Sequence, residues 1–374
     1  MKIALVHDYI KEYGGAERVL EALHEMYPDA PVYTLIYAPQ FLGPHRARFE
    51  NWPIKPSFLT YLPFNYKFIS VFRLIAPLVF KTFNFSGYDV IIVSATGAYS
   101  PNMINKQSAK QICYCHTPPR YLYGYATARL WKKHLFFRIL GEFANHILRM
   151  VDFVSSKHVD IFIANSENIA RRIKKFYRRE SVVVYPPVVT ISNFKFQISN
   201  SKKKCYLAGG RLARPKHFEL VIQACMELKI PLKIFGKGFA GYDKELRAQS
   251  SKLKTKTKNS KLEFLGEITD EEKLELMREA KAFIFAGEDE DFGIVPVEAM
   301  SVGTPVIAYK SGGLLETVVD GKTGLFFDEL TVESLKSTIK RFEKMKLKPE
   351  DCVRQAERFS KEKFTEEIRK IVNN

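Results

Sequence analysis

Two glutamates eight positions apart are the side chains in this sequence best suited to binding a carbohydrate. Glu290 follows an apolar strand pattern, and Glu298 lies in the helix pattern that comes next. Carboxylates accept hydrogen bonds from hydroxyl groups, and a pair placed in this way can point toward one polyol. A sugar or a ribose is the natural ligand. The alternative is an acidic surface loop followed by a helix with an exposed glutamate.

Two other segments at strand ends are suited to binding an anion. Arg211 and Lys216 follow a strand pattern. The forked guanidinium donors of arginine and the compact ammonium charge of lysine both suit phosphate oxygens. Gly14 and Gly15 lie between the first strand and the first helix, where glycine permits close backbone approach and a helix start favours negative charge. Solvated basic residues and a purely structural glycine turn are the alternatives.

The cysteines do not form a metal-ligand pattern. Cys113, Cys115 and His116 stand close together, but no second Cys/His pair at ligand spacing follows them. On a strand, Cys113 and Cys115 simply share a face. The five cysteines are odd in number and scattered, which favours free thiols over a disulfide framework.

Short apolar runs alternate with helical patterns, which is typical of βαβ units. Strands are predicted at 3–6, 32–37, 90–94, 111–115, 161–164 and 182–185, and then at 206–208, 232–235, 262–265, 282–285, 305–308 and 325–327. Thr269-x-x-Glu272 predicts a capping box at a helix start. Polar residues 192–204 predict a connection between domains. We therefore expect an α/β fold with two Rossmann-like, doubly wound parallel-sheet domains that face a ligand-binding cleft.

The segment around the two glutamates resembles the nucleotide-binding signature of family-4 retaining glycosyltransferases, which have the GT-B fold. The matching text is Glu290-x7-Glu298, then Ala299-Met300-x-x-Gly303-x-Pro305-Val306 and Ser311-Gly312-Gly313-x-x-Glu316. The signature is specific, and the resemblance spans residues 1–374. It implies that Glu290 contacts hydroxyls of the donor sugar and that Glu298 takes the ribose hydroxyls. It also implies that the backbone at Phe292, Gly293 and Ile294 approaches the diphosphate, where helix-start amides favour negative charge.

The same resemblance gives Arg211 and Lys216 the part of a phosphate clamp. Gly209-Gly210-Arg211-Leu212-x-x-Pro215-Lys216 is similar to the family's clamp, and its charges would stabilise the leaving diphosphate. The family also places a loop such as Gly14-Gly15 at the cleft. Asp289-Glu290-Asp291 matches a D-x-D triplet that binds Mn²⁺ or Mg²⁺ in another glycosyltransferase fold, but the family spacing already accounts for these acids. We predict activity without a metal ion or other cofactor.

The loop that follows the strand at 111–115 resembles the His-containing loop of family-4 mannosyltransferases, notably those that build O-antigen and other cell-surface polysaccharides. The resemblance implies that His116 contacts the donor sugar near its reacting centre, and that Arg120 and Tyr121 shape the acceptor side. In isolation a histidine at a strand end is more often structural. The resemblance implies retention of the anomeric configuration by same-face attack. No Asp or Glu stands out as a nucleophile, and we expect the leaving phosphate to be the base.

These expectations assign residues 1–190 to an acceptor-side domain and residues 200–355 to a nucleotide-sugar-binding domain. A C-terminal helix near 360–374 is expected to cross back to the first domain. The loop around His116 favours GDP-mannose as donor and a glycan or lipid-linked acceptor. A UDP-sugar donor is one alternative, and a sugar-nucleotide epimerase of the same fold is another, which turnover without an acceptor would distinguish.

The net charge of +17 is concentrated in the first half, where residues 1–190 hold 24 Lys and Arg against 13 Asp and Glu, or +11. Such a field favours anionic partners, either nucleic acid, an anionic bilayer or phosphorylated substrates. No stacking motif or basic helix resembles a nucleic-acid module, so we predict no nucleic-acid partner and keep a basic nucleic-acid-binding protein as the alternative from another class.

The segment from Tyr61 to Phe85 is aromatic and aliphatic and carries Lys67, Arg73 and Lys81. It suits the interface of an anionic bilayer, and helices packed on the first domain are the alternative. No uninterrupted apolar window reaches about 18 residues, and the amino terminus has no basic leader. We expect a cytoplasmic protein that contacts the inner face of the cell membrane peripherally.

Overall fold

The computed structural model describes residues 1–63, 70–127, 135–189, 205–256 and 261–374. The chain divides into two compact units, one drawn from residues 1–125, 130–187 and 362–374 and the other from residues 126–129 and 188–361. The predicted connection at 192–204 lies outside the described residues, as do positions 64–69 of the predicted interfacial segment.

The first unit is built on a parallel sheet whose described strands lie in the order β3-β2-β1-β4-β5-β6-β7. The strands are β1 (Ile3–His7), β2 (Val32–Thr34), β3 (Ile54–Pro56), β4 (Val90–Ala95), β5 (Lys110–Cys115), β6 (Ile161–Ala164) and β7 (Val182–Val183). Its helices are α1 (Gly15–Met26), α2 (Ala76–Phe80), α3 (Leu135–Lys157), α4 (Glu167–Tyr177) and, from the chain end, α12 (Lys361–Asn373).

Alternation along these strands places apolar side chains on both faces of the sheet. Leu5 and Ile92 pack with residues of α1 and α12 in one core cluster. Val6 and Val93 point the other way and pack with residues of α2 and α4. Cys113 shares the second cluster with Cys115, as expected for alternate strand positions, and all five cysteines are free.

The second unit has its own parallel sheet, with the described strands in the order β10-β9-β8-β11-β12-β13. The strands are β8 (Cys205–Gly209), β9 (Leu232–Phe235), β10 (Leu262–Gly266), β11 (Ala280–Phe285), β12 (Val306–Tyr309) and β13 (Gly324–Phe327). The helices are α5 (Phe218–Glu227), α6 (Tyr242–Lys256), α7 (Asp270–Glu279), α8 (Ile294–Ser301), α9 (Leu314–Thr317), α10 (Val332–Phe342) and α11 (Pro349–Ala356).

The two parallel-sheet α/β units confirm the predicted fold class. The capping box is also confirmed, because Thr269 Oγ1 accepts from the Glu272 N–H at 3.2 Å and Glu272 Oε2 accepts from the Thr269 N–H at 2.9 Å. The sequence prediction missed β3, a three-residue edge strand that ends at Pro56, because proline removes a ladder donor. It also ran β2 three residues too far, since the strand ends at Thr34. Among the described residues, no helix is both long and apolar enough to cross a bilayer.

Candidate active site

The loops after β8 and β11 bring a predicted phosphate-binding lysine to a predicted sugar-binding glutamate. These strands are neighbours in a parallel sheet, so the loops at their carboxyl ends meet at one edge. Lys216 Nζ lies 3.8 Å from Glu290 Oε2 and 4.7 Å from the centre of the Phe285 ring. The two charged side chains are 20% and 21% exposed. A partly exposed lysine can bind the phosphate of a ligand, and the carboxylate beside it can bind the hydroxyls of the same ligand.

Glycines after β8 allow the backbone to approach closely where Arg211 emerges. Gly210 has a φ of +114°, in the region that favours glycine. A Cβ on Gly236, after the neighbouring strand β9, would lie only 1.8 Å from the Gly210 oxygen. The Arg211 guanidinium lies 5.4 Å from the centre of the Phe239 ring. Arg211 and Lys216 therefore follow the same strand but lie over different aromatic rings.

Backbone hydrogen bonds hold the loop at 286–293 that carries Glu290. The Glu288 N–H donates to the Pro215 carbonyl at 2.8 Å, and the Gly313 N–H donates to the Glu290 carbonyl at 2.8 Å. A Cβ on Gly312 would lie 2.2 Å from the Glu290 oxygen. Glycine at this position therefore lets the loop after β12 pack directly on the loop that presents the glutamate.

Glu290, the middle residue of the Asp289-Glu290-Asp291 triplet, is thus the one whose carboxylate lies beside Lys216. Asp289 has a left-handed φ of +53°, and its N–H donates to Ser311 Oγ at 3.1 Å. In the part of the chain that the structure describes, no group of three or more His, Cys, Asp or Glu side chains is arranged to hold a metal ion.

The segment that begins α8 contains a buried aromatic ring and a glycine with a left-handed backbone. Phe292 is 2% exposed, and its ring packs edge-on against Phe359 with centroids 5.2 Å apart. Gly293 has a φ of +94°, and a Cβ there would lie 2.7 Å from the Leu314 side chain. Ile294 is the first residue of α8. The amides at this helix start carry the partial positive charge that suits an anion.

Glu298 lies inside α8, and a buried lysine neutralises it. The Glu298 side chain is 3% exposed, and its Oε1 accepts a hydrogen bond from Lys273 Nζ at 2.8 Å. Lys273, on α7, is 8% exposed and donates a second bond to Asp270 Oδ1, also at 2.8 Å. Ionic hydrogen bonds of this kind fix the orientation of a carboxylate. Sequence reasoning selected Glu298 but not Lys273.

His217 links the clamp loop to the acidic loop and was also not predicted. Its Nδ1 lies 3.2 Å from Glu219 Oε1, and its Nε2 lies 3.3 Å from Glu288 Oε2. The hydrogen bond with Glu219 raises the pKa of His217, and the bond with Glu288 acts in the same direction. His217 therefore links the turn that carries Lys216 to both Glu219 and Glu288, and these contacts are strengthened when the imidazole is protonated.

In the first unit, His116 ends a chain of buried polar groups that spans three adjacent strands. His116 Nε2 lies 2.9 Å from Ser94 Oγ. His7 Nδ1 lies 3.1 Å from both the Oγ and the carbonyl oxygen of Ser94, and His7 Nε2 lies 3.7 Å from Glu17 Oε1. Burial lowers the pKa of His116 to about 3, and the neighbouring His7 acts in the same direction. His116 is therefore a neutral imidazole at neutral pH.

The predicted glycine loop forms a cap on α1. Gly14 precedes the helix with a φ of −138°, which other residues can also adopt, and Gly15 is its first residue. The Gly14 N–H donates to Glu17 Oε2 at 2.9 Å, so a side chain of the same helix already satisfies that amide. Glu17 thereby connects this loop to His7 and to the polar chain that ends at His116.

The two predicted acceptor-side residues lie in the loop after β5. Arg120 is half-buried. The Tyr121 hydroxyl donates to the Ala98 carbonyl at 3.3 Å, and the Arg73 guanidinium lies 4.7 Å from the centre of the Tyr121 ring. Burial raises the pKa of Tyr121, so its hydroxyl stays protonated.

Comparison with known proteins assigns the family. The family model described as Glycosyltransferase Family 4 matches residues 13–192, and the model described as Glycosyl transferases group 1 matches residues 190–359. The chain belongs to glycosyltransferase family 4. The resemblance stated from the sequence is confirmed, and each unit has the parallel α/β sheet expected of a GT-B domain.

Several curated relatives of this chain share one name. The alpha-1,3/1,6-mannosyltransferase ALG2 of Dictyostelium discoideum is 31% identical over 278 residues, which cover 67% of this chain and 66% of that protein. ALG2 of Kluyveromyces lactis is 28% identical over 62% of this chain and 52% of its own length. The chain thus spans about half to two thirds of these relatives. The solved structure of Anabaena HepE with UDP and glucose has a TM-score of 0.70 at 19% identity, with both chains fully covered (100%).

Other buried polar residues of this family-4 chain also escaped prediction. Arg172 is 4% exposed, lies 3.9 Å from the Tyr125 ring centre and donates to Thr117 Oγ1 at 3.4 Å, directly after His116. Asp152 accepts a hydrogen bond from the Tyr123 hydroxyl at 2.8 Å, and burial raises the pKa of this carboxyl to about 7. No sequence prediction concerned Arg172, because a charge in an amphipathic helix gives no local sign of burial.

Proposed function

We propose that this chain is a retaining hexosyltransferase that moves mannose from GDP-mannose to a glycan or lipid-linked acceptor in the synthesis of a cell-surface polysaccharide such as O-antigen. The observation that carries the proposal is the pairing of Lys216 with Glu290, 3.8 Å apart at the ends of adjacent strands. One group suits the phosphate of a sugar nucleotide and the other suits its sugar. The ALG2 relatives are named mannosyltransferases, which supports mannose as the sugar.

In this proposal the bond that breaks joins the anomeric carbon to the β-phosphate oxygen, and the electron pair leaves with the nucleoside diphosphate. Lys216 and Arg211 stabilise the charge on that oxygen, so the reaction needs neither a metal ion nor another cofactor. The acceptor hydroxyl attacks the same face of the sugar, and its proton passes to the departing phosphate. Glu290 accepts hydrogen bonds from the sugar, and Glu298 accepts them from the ribose.

His116 contributes a neutral hydrogen-bonding group in this scheme. With a pKa of about 3 it carries no charge at neutral pH, so it positions the sugar and does not serve as a proton source. Ser94 holds one ring nitrogen, which sets the orientation of the ring. Arg120 and Tyr121 are proposed to shape the acceptor side, and the Gly14-Gly15 loop to border the donor.

A thermal-shift screen of GDP-, UDP- and ADP-sugars, each with and without EDTA, tests the donor and the independence from metal. A ligand that binds only the native state raises the melting temperature. We expect the largest shift with GDP-mannose, unchanged by EDTA. A larger shift with a UDP-hexose would move the donor assignment, and a shift abolished by EDTA would contradict metal-independent binding.

Substitutions then test the roles of the individual residues. Lys216→Ala and Arg211→Ala should each lower kcat by about 100-fold, since one charge that stabilises the leaving group is lost. Glu298→Ala should weaken binding of every nucleotide, whereas His116→Ala should reduce transfer more than donor binding. Lys310→Ala is the matched control, because Lys310 is a 55%-exposed lysine of the same unit. Unchanged kinetics in both the Lys216 and Arg211 variants would remove the clamp.

A UDP-sugar donor is the second candidate, because HepE, whose fold is similar, was solved with UDP and glucose. An epimerase would turn over a nucleotide sugar without an acceptor. Salt-dependent binding of DNA or RNA without nucleotide-sugar binding would favour a nucleic-acid-binding protein instead. We propose no nucleic-acid partner, and we propose peripheral contact with an anionic membrane at the inner face of the cell membrane, where lipid-linked acceptors are found.

A further inference from the structure

Helix α3 exposes its apolar side chains and buries its polar ones. Six large apolar residues among its described side chains are 42–65% exposed: Ile139, Leu140, Phe143, Ile147, Met150 and Val154. From Phe143 onward they recur every three or four residues, which places them on one face. On the opposite side Asn145, Asp152, Ser155 and Ser156 are buried. A helix that faces water normally has the reverse pattern, so this face is suited to an apolar environment.

A second apolar segment lies beside α3. Val71, Leu74, Ile75 and Leu78, in and before α2, are 41–65% exposed. The 3-10 turn at Pro101–Met103 contacts both α2 and α3. Helix α2 lies in the crossover from β3 to β4, and α3 lies in the crossover from β5 to β6. Both crossovers run in the same direction across the sheet, so right-handed connections place both helices on the same face. The exposed apolar residues of 71–78 and of α3 together form what we term the apolar surface.

Basic residues predominate around the apolar surface. Residues 51–157 contain 13 Lys and Arg against three acidic residues, Asp89, Glu142 and Asp152, of which Glu142 is half-buried on α3 and Asp152 is buried. Lys81, Arg138 and Lys157 are exposed next to the apolar residues. Cations in this position attract the anionic headgroups of a bilayer, and the same charges would repel a second copy of the surface.

The apolar surface is attached to the predicted acceptor-side loop. Arg73, within the second segment, lies over the ring of Tyr121, with 4.7 Å between the guanidinium and the ring centre. Arg149, on α3, donates from Nη1 to the Leu122 carbonyl at 3.0 Å. Both segments are thus tied to the few residues that follow Arg120. A lipid surface bound here would lie next to the loop expected to receive the acceptor.

We infer that the apolar surface docks the first unit on an anionic lipid bilayer, with α3 lying along the interface and its basic residues at the headgroups. The apolar residues enter the headgroup boundary, and the exposed cations add an attraction that salt weakens. The part of this inference that brings a lipid-linked acceptor to Arg120 and Tyr121 rests on the proposed function. The binding of lipid does not.

Flotation with liposomes tests the docking directly. The full chain is mixed with vesicles of pure phosphatidylcholine or of phosphatidylcholine with 30% phosphatidylglycerol, at low and high salt. We expect binding to the anionic vesicles that falls as salt rises. Phe143→Glu/Ile147→Glu should weaken that binding by about ten-fold or more, because two inserted apolar groups become anions. Val182→Glu, at a 50%-exposed valine of strand β7, is the matched control and should bind like the wild type.

Each result decides the inference. Equal binding of the wild type and the double variant, or no binding to anionic vesicles, overturns it. A third result also overturns it: the wild type is a dimer that does not bind vesicles, and the double variant is a monomer. The apolar surface would then bind a second copy of the chain. Transfer to a water-soluble acceptor separates the two proposals. Retained turnover with lost vesicle binding supports docking, whereas vesicle binding without any turnover defeats only the proposed transferase activity.

Discussion

Replacing Lys273 with methionine should destabilise the second unit strongly. Lys273 Nζ lies 2.8 Å from Glu298 Oε1, and the two side chains are 8% and 3% exposed. Methionine retains most of the apolar stem, so the change removes a charge without opening a large cavity. Removing one partner of a buried ion pair leaves the other charge uncompensated, at a cost of about 3–5 kcal/mol in the free energy of unfolding. Asp270, which is 28% exposed, can be rehydrated and should contribute little.

Urea unfolding measured with two probes locates the effect. Both tryptophans of the sequence, Trp52 and Trp131, precede residue 190, so tryptophan fluorescence follows the first unit and far-UV circular dichroism follows both. We expect Lys273→Met to shift the circular dichroism transition to lower urea and to leave the fluorescence midpoint nearly unchanged. Lys273→Met/Glu298→Met should recover most of the loss, because a buried ion pair can often be replaced by apolar residues.

The control for this prediction is Lys310→Met. Lys310 pairs with Asp328 at 3.4 Å, but the two side chains are 55% and 74% exposed, so its loss should have little effect. The reasoning fails if Lys273→Met costs no more than Lys310→Met. It fails equally if the double variant is as unstable as the single one, because the cost would then not come from an uncompensated carboxylate.

Three further predictions concern pH and backbone packing. Burial lowers the pKa of His116 to about 3, whereas an unfolded histidine titrates near 6.5, so the free energy of unfolding should fall as pH drops below about 6.5. His116→Asn should flatten this dependence on pH, as measured by urea titrations at several pH values. His217 has a raised pKa, so its stabilising contribution is present below about pH 6.5 and is lost as pH rises through the folded value. His217→Gln should therefore reduce the loss of stability as pH rises above about 6.5, and an unchanged slope would contradict this. Gly312→Ala should cost about 1–3 kcal/mol more than Gly321→Ala, since both have positive φ (+57° and +73°) but only the first would place a Cβ against the Glu290 carbonyl; equal losses would show that the loop can move.

Local patterns in the sequence were enough to predict most of the fold. The runs Ile161–Ala164 and Leu232–Phe235 match strands residue for residue. The first is apolar throughout and the second is interrupted only by Lys233, as expected for strands covered on both faces. The capping box at Thr269 uses atoms only three residues apart. The edge strand β3 was missed because three residues, the last a proline, carry too little periodicity.

The glutamates, the clamp cations and His116 were selected from residue type, spacing and the family resemblance, and family membership is now shown. What the sequence alone could not provide was their partners. Lys273 reaches Glu298 across 25 positions, and His7 reaches Ser94 across 87. The second pairing depends on β4 lying beside β1, where His7 and Ser94 are register partners. Periodicity predicts that a strand exists, but neighbouring strands are chosen by the packing of the whole sheet, so only the tertiary structure determined which buried charges meet.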